Sequence, residues 1–596
     1  MFRNLRPLAP YLRKYRTTFY IGAFCVLCNN TVWILFPMVI RDAVRDLNTH
    51  VTRQTLLKYS LFLLAIGVAK AIFQYLTRWI LIGVSREIEF DLRNDLFAHL
   101  EQLSYGYYQR TRTGDIMARM TNDLNAVRML VGPGIMYTAN TIVFTAVSLV
   151  FMLSISPRLT LFAFLPLPIF SIVVQYFGRQ IHERFERIQA MFSEISARAQ
   201  ENFSGARLIR AYVQEEAEIE LFERANEEYI GRSLKLVRLM GMLWPTLETL
   251  LGVAIVIVLF VGGREVIQHR INVGDFAAFN TNMVQLTWPI IALGWVINIF
   301  QRGTASLRRI ENILEEKPEV TDADVPASGA PTMIGGEIEF RDLSFGYGET
   351  LHAAVDGTGQ SHGATTVLKD VNLRVPAGTS LAIVGPTGSG KSTLVSLVPR
   401  IYDAELGSVL IDGRPIREFP LELLRKSIGF VPQETFLFSD TIRENIAFGA
   451  AETSEADIRR VAEAASIATD IGGFPEGYNT VVGERGLTLS GGQKQRAAIA
   501  RALIRNPRIL ILDDALSSVD TQTEDRILNY LREIMRGRTT IFISHRVSTV
   551  RNADRIAVLH HGEIVEYGTH DELIERNGYY TELYHKQLLE EELETV

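Results

Sequence analysis

The run Gly385-Pro386-Thr387-Gly388-Ser389-Gly390-Lys391-Ser392-Thr393 has the residue types and spacing of a loop that wraps phosphate. Its glycines let backbone N–H groups approach phosphate oxygens closely, and a helix starting at its end favours negative charge. Lys391 can reach the terminal phosphates of a nucleotide, and Ser392 can bind Mg2+. A Gly-rich turn without function is the competing reading. Against it, an apolar strand, Ser380–Val384, precedes the loop and a helical Ser392–Val395 follows, the context that phosphate binding requires. Downstream, the apolar run Ile509–Leu512 ends in Asp513, a carboxylate suited to hold Mg2+ through water. An acid after a strand says little alone; beside the loop it points to ATP and Mg2+.

The elements that must position these groups change character along the chain. From Glu337 onward, short apolar runs (Ser380–Val384, Ile428–Val431, Ile509–Leu512, Thr540–Ser544) alternate with helical segments, which predicts an α/β domain with buried, mostly parallel strands. Before Arg302 the apolar residues come in stretches of membrane length. Thr17 to Ile40 carries no charge, and neither do Met129 to Pro157 and Leu159 to Gly178. Leu239 to Gly263 is interrupted only by Glu248, and Phe276 to Gln301 is the last such stretch. Gln54 to Val84 is broken by Lys58, Lys70 and Arg78, yet its Leu, Ile and Phe content suits a helix buried against others. Counting it gives six spans of about 20 residues or more. The basic start (Arg3, Arg6, Arg13, Lys14, Arg16) resembles a signal peptide, but the apolar stretch behind it is longer than a secretory core. A retained first helix with a cytoplasmic N-terminus is expected, because Lys and Arg favour that side.

The resulting division is an α-helical six-span domain with two long cytoplasmic loops at 1–316, a Pro/Ser/Gly-rich acidic linker at 317–336, an α/β ATP-binding domain at 337–585 and an acidic tail at 586–596. Lys and Arg number 61 against 67 Asp and Glu, so no basic surplus argues for nucleic acid. Cys25 and Cys28 are the only cysteines; both lie in the first apolar stretch, where packing is the ordinary role of a thiol.

Leu489-Ser490-Gly491-Gly492-Gln493, about a hundred residues after the phosphate loop, resembles the signature of ATP-binding cassette (ABC) proteins. With the six spans ahead of the cassette, the whole chain resembles an ABC exporter half-transporter. The resemblance implies roles for further residues. Tyr347 would stack on adenine. Gln433 would serve as the Q-loop glutamine near Mg2+, together with Ser392 and Asp513. Asp520 would be the D-loop aspartate, and His545 the switch histidine at the γ-phosphate. It also implies a dimer in which two cassettes sandwich ATP head to tail, so that Ser490 and the amides of Gly491 and Gly492 contact ATP bound on the partner. Thr480–Gly486 resembles an exporter-specific segment, and Tyr107–Arg119 and Glu201–Tyr212 resemble the two intracellular loops whose cross-helices would dock on the cassettes.

Two departures stand out. The residue after Asp513 is Asp514 where the family usually has the Glu that polarises the attacking water. A base about 1 Å out of place can lose about 100-fold in rate. The expectation is therefore an impaired ATP site on this chain and a heterodimer with a second half-transporter that supplies the Glu, as in the degenerate-site subunit of heterodimeric bacterial multidrug exporters. A homodimer working slowly through Asp514 is the alternative. The second departure is an insertion at residues 348–366, read as a hairpin loop. The expected activity is ATP-driven export of hydrophobic or amphipathic small molecules across the cytoplasmic (inner) membrane, from a multi-pass protein in contact with membrane lipid whose N-terminus and cassette face the cytoplasm. A lipid or lipopolysaccharide flippase and an ATP-binding regulatory subunit are the rival readings. Asn29, Asn30, Lys70, Asn140, Glu248, Asn282 and Gln285 are polar residues inside spans. Of these, Glu248, which could attract a cationic amphiphile, and Asn282 are the candidates for the substrate cavity.

Overall fold

A computed structural model describes the chain except residues 1, 48–51, 348–364, 451, 484–485, 487, 517–526, 528–534, 536, 545 and 595–596. It divides into two compact units: Met1–Ala98 with Ile116–Leu314, and His99–Asp115 with Glu315–Val596.

The first unit is helical, and among the described residues six helices are long and apolar enough to cross a membrane. They are built on α1 (Arg16–Leu47), α2 (Arg53–Gln102), α3 (Ile135–Ile155), α4 (Leu167–Ser204), α5 (Glu215–Ile267) and α6 (Val273–Glu315). At 1.5 Å per residue α2 is about 75 Å long, far more than the ~30 Å of hydrocarbon, so the surplus continues beyond the bilayer. One expectation is corrected. Only 6% of the apolar window of α2 is buried within the chain, with Leu57, Leu61, Phe62 and Leu64 all exposed. The reason is the solvent: hydrocarbon is as apolar as leucine, so these side chains gain little by packing on protein. Where α3, α5 and α6 do meet, Phe144, Met152, Val258, Phe279 and Met283 form a buried cluster. Beside it Asn282 clamps α6 to α3: its Nδ2 donates to the Ser148 carbonyl (3.2 Å), and the Ser148 hydroxyl donates to its Oδ1 (3.3 Å).

The second unit carries two sheets. β1 (Ile338–Tyr347), β2 (Thr365–Val375), β4 (Val409–Ile411) and β5 (Arg414–Pro415) form an antiparallel sheet ordered β2-β1-β4-β5. The central sheet is ordered β10-β9-β3-β8-β7-β6, from β3 (Ser380–Val384), β6 (Ile428–Val431), β7 (Ile509–Asp513), β8 (Thr539–Ile543), β9 (Arg555–His560) and β10 (Glu563–Gly568). All its neighbours pair in parallel except β10 with β9. Because side chains alternate across a strand, Leu381, Ile383, Ile509 and Ile511 enter one apolar core, and Ala382, Val384, Leu510 and Leu512 the other. Burial on both faces explains the unbroken apolar runs in the sequence. Residues 317–336 have no regular structure but are tied down. The Asp412 carboxylate accepts from the N–H groups of Gly335, Gly336 and Glu337 (2.6–3.0 Å), and the buried Arg400 donates to the Thr321 carbonyl (3.0 Å).

Candidate functional site

Strand β3 delivers the phosphate loop to the edge of the sheet, and α7 (Lys391–Ser396) carries the chain away. The loop depends on glycine at two places. Gly385 has φ +150°, and a Cβ there would collide with the Leu559 carbonyl. Gly390 has φ +100° and would bring a Cβ to 2.8 Å from the Leu368 side chain. Lys391 is 7% exposed and donates from Nζ to the carbonyls of Gly385 (2.8 Å) and Pro386 (2.9 Å). Burial pushes its ammonium below the usual lysine range, and the carboxylates of Asp513 and Asp514 pull it part of the way back. The Ser392 hydroxyl donates to Asp513 Oδ1 (3.1 Å), so the residues chosen for Mg2+ from two distant motifs meet. The buried Ser389 hydroxyl has no hydrogen-bond partner among the described residues.

Tyr347, at the end of β1, is 43% exposed, and its hydroxyl bonds the Thr393 hydroxyl (2.8 Å). Its ring packs edge-on against Phe345 and Tyr402. Tyr402 in turn meets Tyr105, on the short helix Tyr105–Arg110 of the first cytoplasmic loop, which belongs to this unit. Ser104 Oγ accepts from the N–H groups of Glu319 (2.8 Å) and Val320 (3.1 Å), and Arg110 pairs with Glu319 (3.0 Å). An aromatic chain therefore joins this loop to the nucleotide side of the cassette. Tyr402 was missed from sequence because a lone Tyr after a helix carries no pattern.

The signature opens α8 (Gly491–Leu503) in a capping box: Ser490 Oγ accepts from the Gln493 N–H (3.3 Å) and Gln493 Oε1 accepts from the Ser490 N–H (3.0 Å). Gln493 and Arg496 are fixed by Asp470 (3.0 Å each), while Ser490 and Gly491 are exposed and Leu489 is buried. The helix end is thus rigid and faces outward. Gln433 is exposed just after β6. Asp514 is half-buried at φ +50°, its N–H bonded to the Ile543 carbonyl (3.1 Å). Asp520 and His545, most of the 348–366 insertion, and Glu484 and Arg485 lie outside the described residues. Also missed was an exposed aromatic patch of Phe436, Phe438 and Phe448. It is seated on Arg501, whose guanidinium burial pushes down to about 10.

In the first unit a cavity of about 410 Å³ lies between α1, α2, α3 and α6. Lys70, Gln74, Thr77 and Arg78 line it from α2, at the i, i+4, i+7, i+8 spacing of one helix face. Asn29 and Asn30 line it from α1, Asn140 from α3 and Gln285 from α6, between the rings of Trp33 and Trp288. Neither membrane candidate is among these. Asn282 is fully buried on Ser148, and Glu248 is exposed on α5.

Comparison with known proteins agrees with this architecture. The family model described as "ABC transporter transmembrane region" matches residues 19–290, and that described as "ABC transporter" matches residues 368–517. The chain is 37% identical to the multidrug resistance-like ATP-binding protein MdlA of Escherichia coli (strain K12), over 98% of this chain and 96% of that one. It is 36% identical to an ATP-dependent lipid A-core flippase of Syntrophus aciditrophicus (strain SB), over 100% and 95%. A solved bacterial Atm1-family ABC exporter with ATP bound superposes with a TM-score of 0.76 at 30% identity, covering 96% of this chain and 98% of that one. A helical membrane domain fused to one ATP-binding cassette defines the class as an ATP-driven transporter. The chain belongs to the ABC transporter family, as an exporter: a multi-pass membrane protein with a cytoplasmic ATP-binding domain.

Proposed function

We propose that this chain is one half of a dimeric exporter that moves hydrophobic or amphipathic compounds, and that its own ATP site is hydrolytically impaired. The observation that carries the reading is the cassette's arrangement: a complete phosphate loop with Asp513 at Ser392, an outward-facing signature at Ser490, and Asp rather than Glu at 514. The signature stands at the exposed N-terminus of α8, where the partial positive charge of the helix end favours phosphate carried by another cassette. The apolar tip of the second cytoplasmic hairpin (Phe203, Leu208, Tyr212, Val213) and the Phe436, Phe438, Phe448 patch are further faces for a second chain to cover.

In this reading Ser392, Asp513 and Gln433 hold Mg2+, which when bound neutralises charge on the β- and γ-phosphates. Lys391 binds the terminal phosphates, Tyr347 and its aromatic neighbours hold adenine, and His545 and Asp520 complete the site. Asp514 orients the attacking water less well than a Glu, so the fast site is the one this chain's signature completes on a partner. Export of drug-like compounds and flipping of lipid use the same machinery, and the names of the relatives include both. The test is ATP-dependent accumulation of fluorescent amphiphiles in inside-out membrane vesicles, with Lys391→Ala as control, alongside identification of any co-purifying polypeptide. Uptake abolished by K391A and a partner carrying Glu after its Mg2+ aspartate are expected. A co-purified chain with both Glu and an intact signature would contradict the asymmetric arrangement.

A further inference from the structure

Two cations line the α1/α2/α3/α6 cavity within the membrane-spanning stretch, Lys70 part-buried and Arg78 exposed, and neither is paired among the described residues. Among the described residues no carboxylate lies within 4.0 Å of Lys70 or Arg78. The Lys70 ammonium sits 3.2 Å from the centre of the Trp33 ring, a contact that holds the cation without neutralising it. Eight residues of helix separate Lys70 from Arg78, about 12 Å along the axis, so an extended head group could span both. Of the buried polar atoms without a hydrogen-bond partner, three belong to this cavity: Asn29 Oδ1, Thr77 Oγ1 and Gln285 Oε1. Thr77 is itself only 6% exposed. Asn30 is satisfied, by contrast: its Nδ2 donates to Asn140 Oδ1 (2.9 Å) and to the Val26 carbonyl (2.9 Å), and so ties α1 to α3. The cavity thus combines unpaired positive charge, unpartnered oxygens and aromatic walls.

Buried polar groups are normally satisfied, and charges within a membrane are paired or serve a pathway. Resting on the exporter reading, we infer that this cavity binds the head group of an anionic amphiphile that also carries hydroxyl or amide donors. Lys70 and Arg78 take the acid, Asn29, Thr77 and Gln285 accept from or bond the donors, and Trp33 and Trp288 flank the start of the apolar tail. This assigns the charge preference to α2 and to anions, where the sequence pointed to Glu248 and cations.

The test uses the full-length transporter, with its partner if one co-purifies, in nanodiscs of phosphatidylcholine. Three dansyl-labelled probes share one alkyl chain and differ in head group: glycerophosphate, sulfate and trimethylammonium. Energy transfer from tryptophan reads binding. Glycerophosphate is expected to bind tightest and trimethylammonium about tenfold or more weaker. Lys70→Gln with Arg78→Gln should remove the anionic preference while leaving trimethylammonium binding in place, and Thr77→Val should narrow the gap between glycerophosphate and sulfate. Circular dichroism and size-exclusion chromatography of each variant show that the fold survives. Competition by phosphatidylglycerol in the nanodisc identifies a membrane lipid as the source of the head group; its failure to compete identifies a soluble amphiphile, and either supports the site. Equal affinity for the anionic and cationic probes, or an anionic preference that survives in the K70Q/R78Q variant, overturns the inference. The exporter reading fails separately: ATP would then drive none of the probes into inside-out vesicles, whatever their order of binding.

Discussion

Each of the two units carries a cationic site, buried at Lys391 in the cassette and part-buried at Lys70 in the membrane domain, and the two are finished to different degrees. In the cassette, Lys391 rests on two loop carbonyls and Ser392 on Asp513, so the phosphate site is held in shape by its own backbone. In the membrane domain, among the described residues, Lys70 and Arg78 have no acid beside them, and three neighbouring oxygens have no partner. The first site serves a ligand whose phosphates never vary, and pre-organisation costs it nothing in range. The second leaves its polar groups for the ligand to satisfy, at a cost in stability that a purely structural helix contact would avoid.

That contrast can be broken at several points. The largest effect is expected from Lys391→Ala, which should lower ATP-driven transport by at least about 100-fold while leaving amphiphile binding in the membrane cavity intact; comparing vesicle uptake with probe binding checks both halves. Ser490→Ala should reduce the ATPase rate of the dimer about tenfold and, by loss of the capping box, cost about 1 kcal/mol of cassette stability in denaturant unfolding. Asn282→Leu should cost about 1 kcal/mol through the lost clamp on Ser148, without changing head-group preference. Thr77→Val should go the other way in stability, unchanged or raised by less than about 1 kcal/mol, because it deletes a buried hydroxyl that has no partner. A smaller effect concerns pH. Phosphate needs the charged form of Lys391, whose pKa lies below 10.5, so ATP affinity should be flat near neutral pH and fall as the pH rises toward that value, read by nucleotide titration.

The two sites were also unequally legible. The phosphate loop and signature are contiguous, and their geometry is made by backbone and glycine, so nine consecutive residues declare the chemistry; the structure adds that Ser392 and Asp513 meet and that Ser389 is left unpartnered. Strand runs were readable because burial on both faces removes polar residues from them. The membrane cavity draws single residues from positions 29, 70, 77, 78, 140 and 285, on four helices whose relative rotation no local pattern encodes. Glu248 is the lone acid in its span, yet it is exposed on α5 and does not line this cavity. Asn282 resembles Asn29 in sequence, and only its register against Ser148 shows that its amide is spent on packing.

Single-turnover hydrolysis of ATP bound to this chain's own phosphate loop, comparing the wild type with Asp514→Glu, tests the inequality at residue 514 most directly. Supplying the missing methylene should speed hydrolysis at this site by tenfold or more, up to the ~100-fold that a displacement of about 1 Å can cost. An unchanged or slower rate in a D514E protein that still binds ATP would contradict the assignment of this chain as the impaired half.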